Sequence, residues 1–293
     1  MPLPNFLCVG AQKAGTTTLH DILIQHPEIY LPEIKETKFF QNNSKYEKGL
    51  EYYEKEFFGK WNGEKAVGEI DPEYMYFEYV PERIYKHLGK DIKLIFMLRN
   101  PVDRAYSHYW MSYRRGYETE AFKRAIELEE KRIKLGEFHK NHFSYISRGL
   151  YAKQVKRYLK FFSRENMFFI VFEEDFLEKR KKTISNLLNF LNVDANVNLN
   201  LDLKSNQSSL PRLKFLRDVM YKPNIIKKIG TMMIPSESLR TKIFMTLDRF
   251  NQKPVKPPKL ESKFRKKLLY DYFIEDIREL ESILGRTLSI WYK

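Results

Sequence analysis

Cysteine, histidine and long apolar runs are scarce in this chain of 293 residues, and each shortage excludes a class of protein. Its one cysteine, Cys8, lies in a short apolar run, so no internal disulfide forms and nothing points to an oxidising compartment. The six histidines and Cys8 show no close spacing typical of a zinc site. No stretch approaches the ~18 apolar residues of a membrane span, and the chain starts with no leader-like segment. We therefore expect a cytoplasmic protein without a transmembrane segment.

Positive charge, by contrast, is abundant. The chain carries 52 Lys and Arg against 38 Asp and Glu, a formal net charge of +14. Such an excess indicates an anionic partner: a nucleotide, a nucleic acid, an acidic glycan or a membrane surface. The charge is dispersed along the chain rather than collected in a tail, and we expect no nucleic-acid partner.

Short apolar runs alternate with helical patterns along the whole chain. Strands are predicted at 6–9, 65–70, 94–98 and 167–172. Helices are predicted near 17–25, 79–88, 102–115, 119–135, 151–162, 176–191, 211–221 and 261–284. This alternation favours an α/β fold, a P-loop-like doubly wound parallel sheet flanked by helices, with helical insertions. The Pro- and Lys-rich stretch 252–259 is too short and too late to separate two domains, so residues 1–293 are interpreted as one domain.

The first predicted strand leads into a loop that is suited to an anion. Gly10 and Gly15 bracket Lys13, and three threonines, Thr16, Thr17 and Thr18, open the next helix. Glycines let the backbone approach a phosphate closely, and the N–H groups and dipole of a helix N-terminus favour negative charge. The ATP-binding P-loop has the same glycine spacing but places its lysine after the second glycine, where this chain has Thr16. The lysine here lies inside the loop.

A second anion site is predicted after the strand at 94–98. Arg99 lies at the carboxyl end of this strand, where ligands bind in open α/β sheets. Pro101 suits the first turn of the following helix, and Ser107 lies on that helix. A guanidinium and a hydroxyl together are able to hold a second phosphate.

These two motifs, in this order, resemble the 5′-phosphosulfate loop and the 3′-phosphate motif of sulfotransferases that use 3′-phosphoadenosine 5′-phosphosulfate (PAPS). Weaker matches lie at 148–151, 169–175 and 206–212 and in the C-terminal helix leading to Leu288 and Trp291. The resemblance spans nearly the whole chain, is weakest at 222–258, and is closest to the branch with heparan-sulfate and bacterial sulfotransferases. It implies an enzyme that needs no metal and moves a sulfuryl group from PAPS to a hydroxyl or amine of an acceptor, with a carbohydrate favoured.

The resemblance also implies roles for individual residues. The 5′-phosphosulfate would be held by Lys13, Ala14, Gly15, Thr16, Thr17 and Thr18. The 3′-phosphate would be held by Arg99 and Ser107, and the nucleotide site would be completed by Arg148, Tyr151 and Arg212. Lys13 would stabilise the leaving group.

The acceptor needs a general base, and several carboxylates are candidates. Residues 35–40, Lys-Glu-Thr-Lys-Phe-Phe, resemble the segment in which glycan sulfotransferases place a catalytic glutamate, so Glu36 is the first candidate, with Lys35 beside it. A raised pKa would suit a base. Glu69 and Asp71, at the end of the strand at 65–70, would orient the acceptor or act in place of Glu36. His108 is a further alternative.

Two other classes of function compete with this interpretation. A nucleotide kinase or NTPase would show magnesium-dependent turnover of ATP, but the position of Lys13 argues against it. A non-catalytic binder of acidic polymers would depend strongly on salt and show no nucleotide-linked turnover. Within the sulfotransferase interpretation, residues 37–65 and 116–147 are expected to line the acceptor cleft, and glycan, lipid-linked sugar, phenol and polyketide hydroxyl all remain open as acceptors.

Overall fold

The computed structural model of the protein describes residues 2–203, 209–222, 233–234 and 237–292. The chain divides into two compact units. The first comprises 1–104, 148–205 and 262–293, and the second comprises 105–147 and 206–261. The interpretation of the whole chain as one domain stays a prediction.

The first unit is built on a five-stranded parallel sheet in the order β2-β3-β1-β4-β5. Its strands are β1 (Phe6–Gly10), β2 (Ile29–Tyr30), β3 (Ala66–Ile70), β4 (Lys93–Leu98) and β5 (Met167–Val171). After β3 the chain crosses to the other side of β1, so the strand order reverses at β1. Ligands of open α/β sheets bind at the carboxyl ends of strands beside such a reversal. The predicted fold class is confirmed.

The central strands are buried along their whole length. Every residue of β1 and β3 is buried, which is why β1 is a continuous apolar run, whereas β3 includes one buried carboxylate, Glu69. Phe6 is in register with Gly68 of β3, and a Cβ added to Gly68 would lie 2.2 Å from the Phe6 ring. Glycine at this position therefore allows the ring to pack directly on the backbone of the neighbouring strand.

Helices of the first unit flank this sheet. They are α1 (Thr16–Leu23), α2 (Asn43–Tyr46), α3 (Gly49–Phe58), α4 (Val80–Leu88), α8 (Tyr151–Leu159), α9 (Arg180–Leu191), α12 (Ser262–Leu268) and α13 (Ile274–Leu284), together with the start of α5 (Pro101–Arg114). Wide helical turns at Phe172–Glu178 and Leu269–Phe273 precede α9 and α13. Short 3₁₀ turns lie at Ser147–Gly149, Arg164–Asn166 and Ser289–Trp291.

Among its described residues, the second unit contains the rest of α5 and four further helices. These are α6 (Phe122–Ile133), α7 (Glu137–Phe143), α10 (Lys214–Tyr221) and α11 (Glu237–Phe250), with an antiparallel pair of short strands, β6 (Ser209–Pro211) and β7 (Gln252–Pro254). Aromatic rings form part of its core, and the ring centres of Phe122 and Tyr109 lie 5.1 Å apart. Buried Glu118 accepts hydrogen bonds from Tyr145 Oη and Arg132 Nη1, both at 2.7 Å, so this carboxylate joins separate segments of the unit.

The four predicted strands are confirmed to within one residue at each end. The sequence analysis missed β2, which is two residues long, and the β6–β7 pair. It also missed helices α2, α3, α7 and α11, because their segments mix aromatic and charged residues without a clear apolar period. The predicted helix at 261–284 is two helices separated by the wide turn Leu269–Phe273.

Candidate active site

The loop at residues 10–18, called here the glycine loop, joins the carboxyl end of β1 to helix α1. Gly15 precedes the helix with φ 97°, a left-handed conformation that favours glycine. A Cβ at Gly15 would also lie 2.6 Å from the ring of Phe172. The first N–H groups of a helix have no partner within it, so the start of α1, with three threonines, is suited to bind an anion.

Lys13 and Arg99 bring the two predicted anion motifs into contact. Lys13 adopts a left-handed backbone conformation, φ 72°, and its carbonyl oxygen accepts a hydrogen bond of 3.1 Å from Arg99 Nη1. The Arg99 guanidinium also lies 5.4 Å from the centre of the Phe172 ring. Non-glycine residues in left-handed conformations are strained and concentrate at functional sites. Both cationic residues therefore belong to one cluster at the carboxyl edge of the sheet.

The backbone that carries Arg99 is held by buried partners. Tyr151 donates from its hydroxyl to the Arg99 carbonyl oxygen at 2.9 Å. The Asn100 N–H donates to Glu173 Oε1 at 2.9 Å, and Trp291 Nε1 donates to the other oxygen of Glu173 at 2.9 Å. Asn100 Nδ2 in turn donates to the Trp291 carbonyl oxygen. The C-terminal turn thus supports Arg99, and Tyr151 contacts Arg99 through its backbone.

Arg148, predicted to complete the nucleotide site, is a buried cation. It is 2% exposed, and its guanidinium lies 4.4 Å from the centre of the Tyr76 ring. Its Nη2 atom lies 3.8 Å from Glu73 Oε2. The buried position of Arg148 depends on this carboxylate and this ring.

Three predicted residues lie in the second unit. Ser107 is half-buried on α5, and its pairing with Arg99 on one phosphate stays a prediction. Arg212 follows β6, where its N–H donates to the Asn251 carbonyl oxygen at 2.6 Å. His108 is fully buried, and its Nε2 lies 3.2 Å from the Asn141 carbonyl oxygen. Of the late segment 206–212, residues 206–208 lie outside the described residues.

A second loop, residues 35–41, called here the Lys-Glu loop, carries the candidate base. Lys35 Nζ lies 2.7 Å from Glu36 Oε1, and the Glu36 side chain is 34% exposed. Glu36 has φ 66° and Lys38 has φ 59°, so two non-glycine residues of this loop are left-handed. This strain, like that at Lys13, needs a surrounding structure that holds the loop in place.

Glu69 and Asp71 hold the Lys-Glu loop from β3. Glu69 Oε1 accepts from the N–H and the hydroxyl of Thr37, at 3.2 and 2.5 Å, and also from the hydroxyl of Tyr74. Its Oε2 accepts from the hydroxyl of Tyr53 at 2.5 Å. Asp71 Oδ2 accepts from the N–H of Lys38 at 2.9 Å. Both carboxylates are buried, and their roles toward an acceptor stay predictions.

Burial and neighbouring charges shift the pKa values of Glu69, Asp71 and Glu36 in different directions. Burial raises the pKa of Glu69, although its hydrogen bonds with Thr37, Tyr53 and Tyr74 oppose the shift. Burial and the neighbouring carboxylates raise the pKa of Asp71 well above its usual range. Burial also acts to raise the pKa of Glu36, but the ammonium groups of Lys35 and Lys38 outweigh it, and the Glu36 pKa is lowered. The candidate base is therefore ionised at neutral pH, and its pKa is not raised as would suit a base.

The sequence analysis missed the polar side chains that connect the two loops. Gln12 of the glycine loop and Gln41 of the Lys-Glu loop both donate from Nε2 to Glu73, at 2.9 and 3.0 Å. Nothing in their spacing reveals this arrangement, since 61 residues separate Gln12 from Glu73. The signal available was that Gln12 and Gln41 lie in segments already selected as functional.

The described residues contain no group of three or more His, Cys, Asp or Glu side chains arranged to hold a metal ion. Within that same part of the chain, no helix is long and apolar enough to cross a membrane.

Comparisons with known proteins agree on one family. The profile of the family described as "Sulfotransferase domain" matches residues 3–237. The chain is 39% identical over 112 residues to the membrane-associated sulfotransferase kil1 of Dictyostelium discoideum, across 38% of this chain and 23% of that protein. It is 32% identical over 164 residues to heparan sulfate glucosamine 3-O-sulfotransferase 5 of Homo sapiens, across 56% of this chain and 46% of that protein. The chain thus spans less than half the length of these two relatives.

A solved structure matches the whole chain. The crystal structure of a sulfotransferase from Alicyclobacillus acidocaldarius aligns with a TM-score of 0.72 at 28% sequence identity and covers 100% of both chains.

Proposed function

Because this chain belongs to the sulfotransferase domain family, we propose that it transfers a sulfuryl group from PAPS to a hydroxyl or amine of a carbohydrate acceptor. The observation that carries the proposal is the hydrogen bond between Arg99 and the Lys13 carbonyl oxygen. It brings a cation from the end of β4 against the anion-binding loop that follows β1. A donor that carries phosphate groups on both the 3′ and the 5′ oxygen of its ribose requires two such cationic groups close together.

The glycine loop fits a 5′-phosphosulfate. A side chain at Gly15 would strike the Phe172 ring, so only glycine lets the backbone of the loop lie this close to Phe172. Thr16, Thr17 and Thr18 follow at the start of α1 and supply hydroxyl and N–H donors. Lys13 adds the positive charge. The loop lacks the lysine that an ATP-binding P-loop carries after its second glycine, which supports PAPS rather than ATP as the ligand.

In the proposed reaction, the acceptor oxygen or nitrogen forms a bond to sulfur while the bond from sulfur to the nucleotide phosphate oxygen breaks. Such transfers depend mainly on positioning and on charge stabilisation. Lys13 and the N–H groups of the glycine loop stabilise the negative charge that grows on the leaving oxygen. Glu36 takes the proton of the acceptor group, and its lowered pKa keeps it ionised for this role. Lys35, 2.7 Å from Glu36, orients that carboxylate.

A glycan acceptor is supported by the relatives. Heparan sulfate glucosamine 3-O-sulfotransferase 5 is named for a glycan acceptor. The net charge of +14 suits an acidic glycan as well as the nucleotide. Which glycan is sulfated, and whether on oxygen or nitrogen, is a question for an acceptor screen with labelled PAPS.

The test of the proposed function is a melting curve with the product nucleotide, 3′-phosphoadenosine 5′-phosphate (PAP), in a chelating buffer. A ligand that binds only the folded state at 100 times its dissociation constant stabilises it by about 2.7 kcal/mol. We expect PAP to raise the melting temperature without added metal. Strong stabilisation by ATP with magnesium, and none by PAP, would contradict the proposal and favour an NTPase. Stabilisation by acidic polymers alone would favour the non-catalytic binder.

A further inference from the structure

Glu73 follows β3, after Asp71 and Pro72, and connects the two loops of the candidate site. It is 4% exposed. Its Oε1 accepts from Gln12 Nε2 at 2.9 Å, and its Oε2 accepts from Gln41 Nε2 at 3.0 Å. One buried carboxylate therefore holds a side chain of the glycine loop with one oxygen and a side chain of the Lys-Glu loop with the other.

Two cations stand beside the same carboxylate. Lys38 Nζ lies 3.7 Å from Glu73 Oε1, and Arg148 Nη2 lies 3.8 Å from Oε2. A buried carboxylate is stable only when it is paired and hydrogen-bonded, and the two amides and two cations provide these contacts for Glu73. Reciprocally, Glu73 fixes groups from three separate segments of the chain, since Arg148 follows far later in the sequence.

The two glutamines depend on Glu73 for their orientation. Neither the Gln12 nor the Gln41 amide oxygen has a hydrogen-bond partner within the described part of the chain. Their hydrogen bonds to Glu73 therefore orient both side chains, and hydrogen bonds to an ionised group are the stronger kind. Removing the carboxylate would release a side chain of each loop at once.

We propose that Glu73 is a positioning residue that fixes the glycine loop and the Lys-Glu loop relative to each other for sulfuryl transfer. The proposal rests on the function proposed above, because it assigns the nucleotide to one loop and the acceptor with its base to the other. It predicts that one carboxylate, which need not touch either substrate, controls the binding of both.

The test measures PAP affinity by calorimetry and the acceptor KM by a sulfation assay. In Glu73→Ala we expect the Kd for PAP and the KM for the acceptor each to rise about tenfold, the scale of one lost charge-assisted hydrogen bond. Gln12→Met should raise the Kd for PAP and leave the acceptor KM nearly unchanged. Gln41→Met should do the reverse. A loss of folded protein alone would lower kcat and leave both constants where they were.

Two further variants separate positioning from general damage. Glu73→Gln should restore most of both affinities. The new amide oxygen can accept from the Nε2 of one glutamine. If the amide of the other glutamine rotates, the new amide nitrogen can donate to its oxygen, which is unpaired in the wild type. Adding Gln12→Met to Glu73→Ala should weaken PAP binding little further, since both changes remove the same hydrogen bond. If Glu73→Ala does not fold, the two single variants test the same proposal: Gln12→Met should raise only the Kd for PAP, and Gln41→Met should raise only the acceptor KM.

Glu78→Ala is the matched control. Glu78 is an acidic residue five positions later, its side chain is 77% exposed, and it pairs with Arg157. Both constants should stay at wild-type values. Unchanged constants in a folded Glu73→Ala, or equal effects of Gln12→Met and Gln41→Met on both, would overturn the proposal. If wild-type protein does not bind PAP, the proposed function itself fails, an outcome distinct from wild-type binding with unaffected variants.

Discussion

Arg99 donates a hydrogen bond of 3.1 Å to the carbonyl oxygen of Lys13, a residue 86 positions earlier in the chain. Lys13 belongs to the loop after β1 and Arg99 to the end of β4, the strand that pairs with β1. The adjacency of these two parallel strands places the residues that follow them at one edge of the sheet. Two residues predicted to bind the 3′-phosphate and the 5′-phosphosulfate of one nucleotide are thus in contact through the Lys13 carbonyl oxygen.

Arg99→Ala should weaken PAP binding by at least ~1.5 kcal/mol, the scale of a hydrogen bond to a charged group. Discrimination against AMP, which lacks the 3′-phosphate, should shrink with it. Calorimetric titration of both nucleotides measures the two effects. Arg278→Ala removes an exposed arginine that pairs with Glu275 and serves as the control. An unchanged preference for PAP over AMP would show that Arg99 does not bind the 3′-phosphate.

Lys13→Met should lower turnover much more than it weakens PAP binding. Methionine keeps a long apolar stem and removes the charge, which we expect to act mainly on the leaving oxygen in the transition state. Loss of one such stabilising group typically costs on the order of 10²- to 10³-fold in kcat. Turnover at saturating PAPS is compared with the Kd for PAP. Equal losses in both would mean that Lys13 contributes only ground-state binding.

Glu36→Gln should bind PAP normally and lose about 10²-fold or more in turnover, because it keeps the side-chain size and removes the base. Lys35 and Lys38 hold the Glu36 pKa below its usual range. The acidic limb that Glu36 contributes to kcat/KM should therefore lie below about pH 4.3, the ordinary glutamate value. A pH profile of the wild type checks this. Near-wild-type turnover of a folded Glu36→Gln removes Glu36 from the mechanism, and Glu69 or His108 is tested next.

Gly15→Ala and Gly63→Ala form a matched pair. Their φ angles are 97° and 96°, so alanine meets the same backbone strain at both positions, of order 1–3 kcal/mol. A Cβ at Gly15 meets the Phe172 ring at 2.6 Å, whereas a Cβ at Gly63 meets nothing within 4 Å. Overpacking typically costs a further ~1–3 kcal/mol. Urea unfolding should show Gly15→Ala as the less stable variant, and only that variant should lose PAP affinity. Equal stability would contradict the contact with Phe172.

Asp71→Asn should make stability depend less on pH. Burial and the neighbouring carboxylates raise the Asp71 pKa well above its usual range, so above about pH 4 the folded protein keeps a proton that the unfolded chain has lost. The free energy of unfolding then falls as pH rises, by at most ~1.4 kcal/mol per pH unit, until the folded-state pKa is passed. The wild type should therefore lose stability relative to Asp71→Asn as pH rises from about 4. A constant difference between the two unfolding curves would mean that the Asp71 pKa is not raised.

Much of the architecture was predictable from short-range patterns. The runs at β1, β3, β4 and β5 consist mainly of buried apolar residues, so they are visible as short apolar runs in the sequence. Strand β2 was missed because two residues carry no pattern. Helix α3 was missed because its buried residues Tyr53, Phe57 and Phe58 are interspersed with charged residues and give no clear helical period of apolar residues.

The glycine loop was selected from sequence because it joins a predicted strand to a helix N-terminus, and the Lys-Glu loop because residues 35–40 resemble a segment of glycan sulfotransferases. What those residues touch was decided only by the tertiary structure. Glu69 could be listed with Asp71, but four hydrogen bonds from Thr37, Tyr53 and Tyr74 show it holding a loop. Glu73 had no assigned role until Gln12 and Gln41 were seen on its two oxygens.

Sequence and tertiary structure decided different properties because the interactions behind them act over different ranges. Chain stiffness and the burial of neighbouring residues act over a few positions, so the sequence by itself determined the four longer strands of the sheet, the glycine loop and the family. Hydrogen bonds and charges act through space, between residues that only the strand order β3-β1-β4 brings together. The burial that raises the pKa of Asp71 and the contact of Arg99 with Lys13 depend on that order. These properties were therefore decided by the tertiary structure alone.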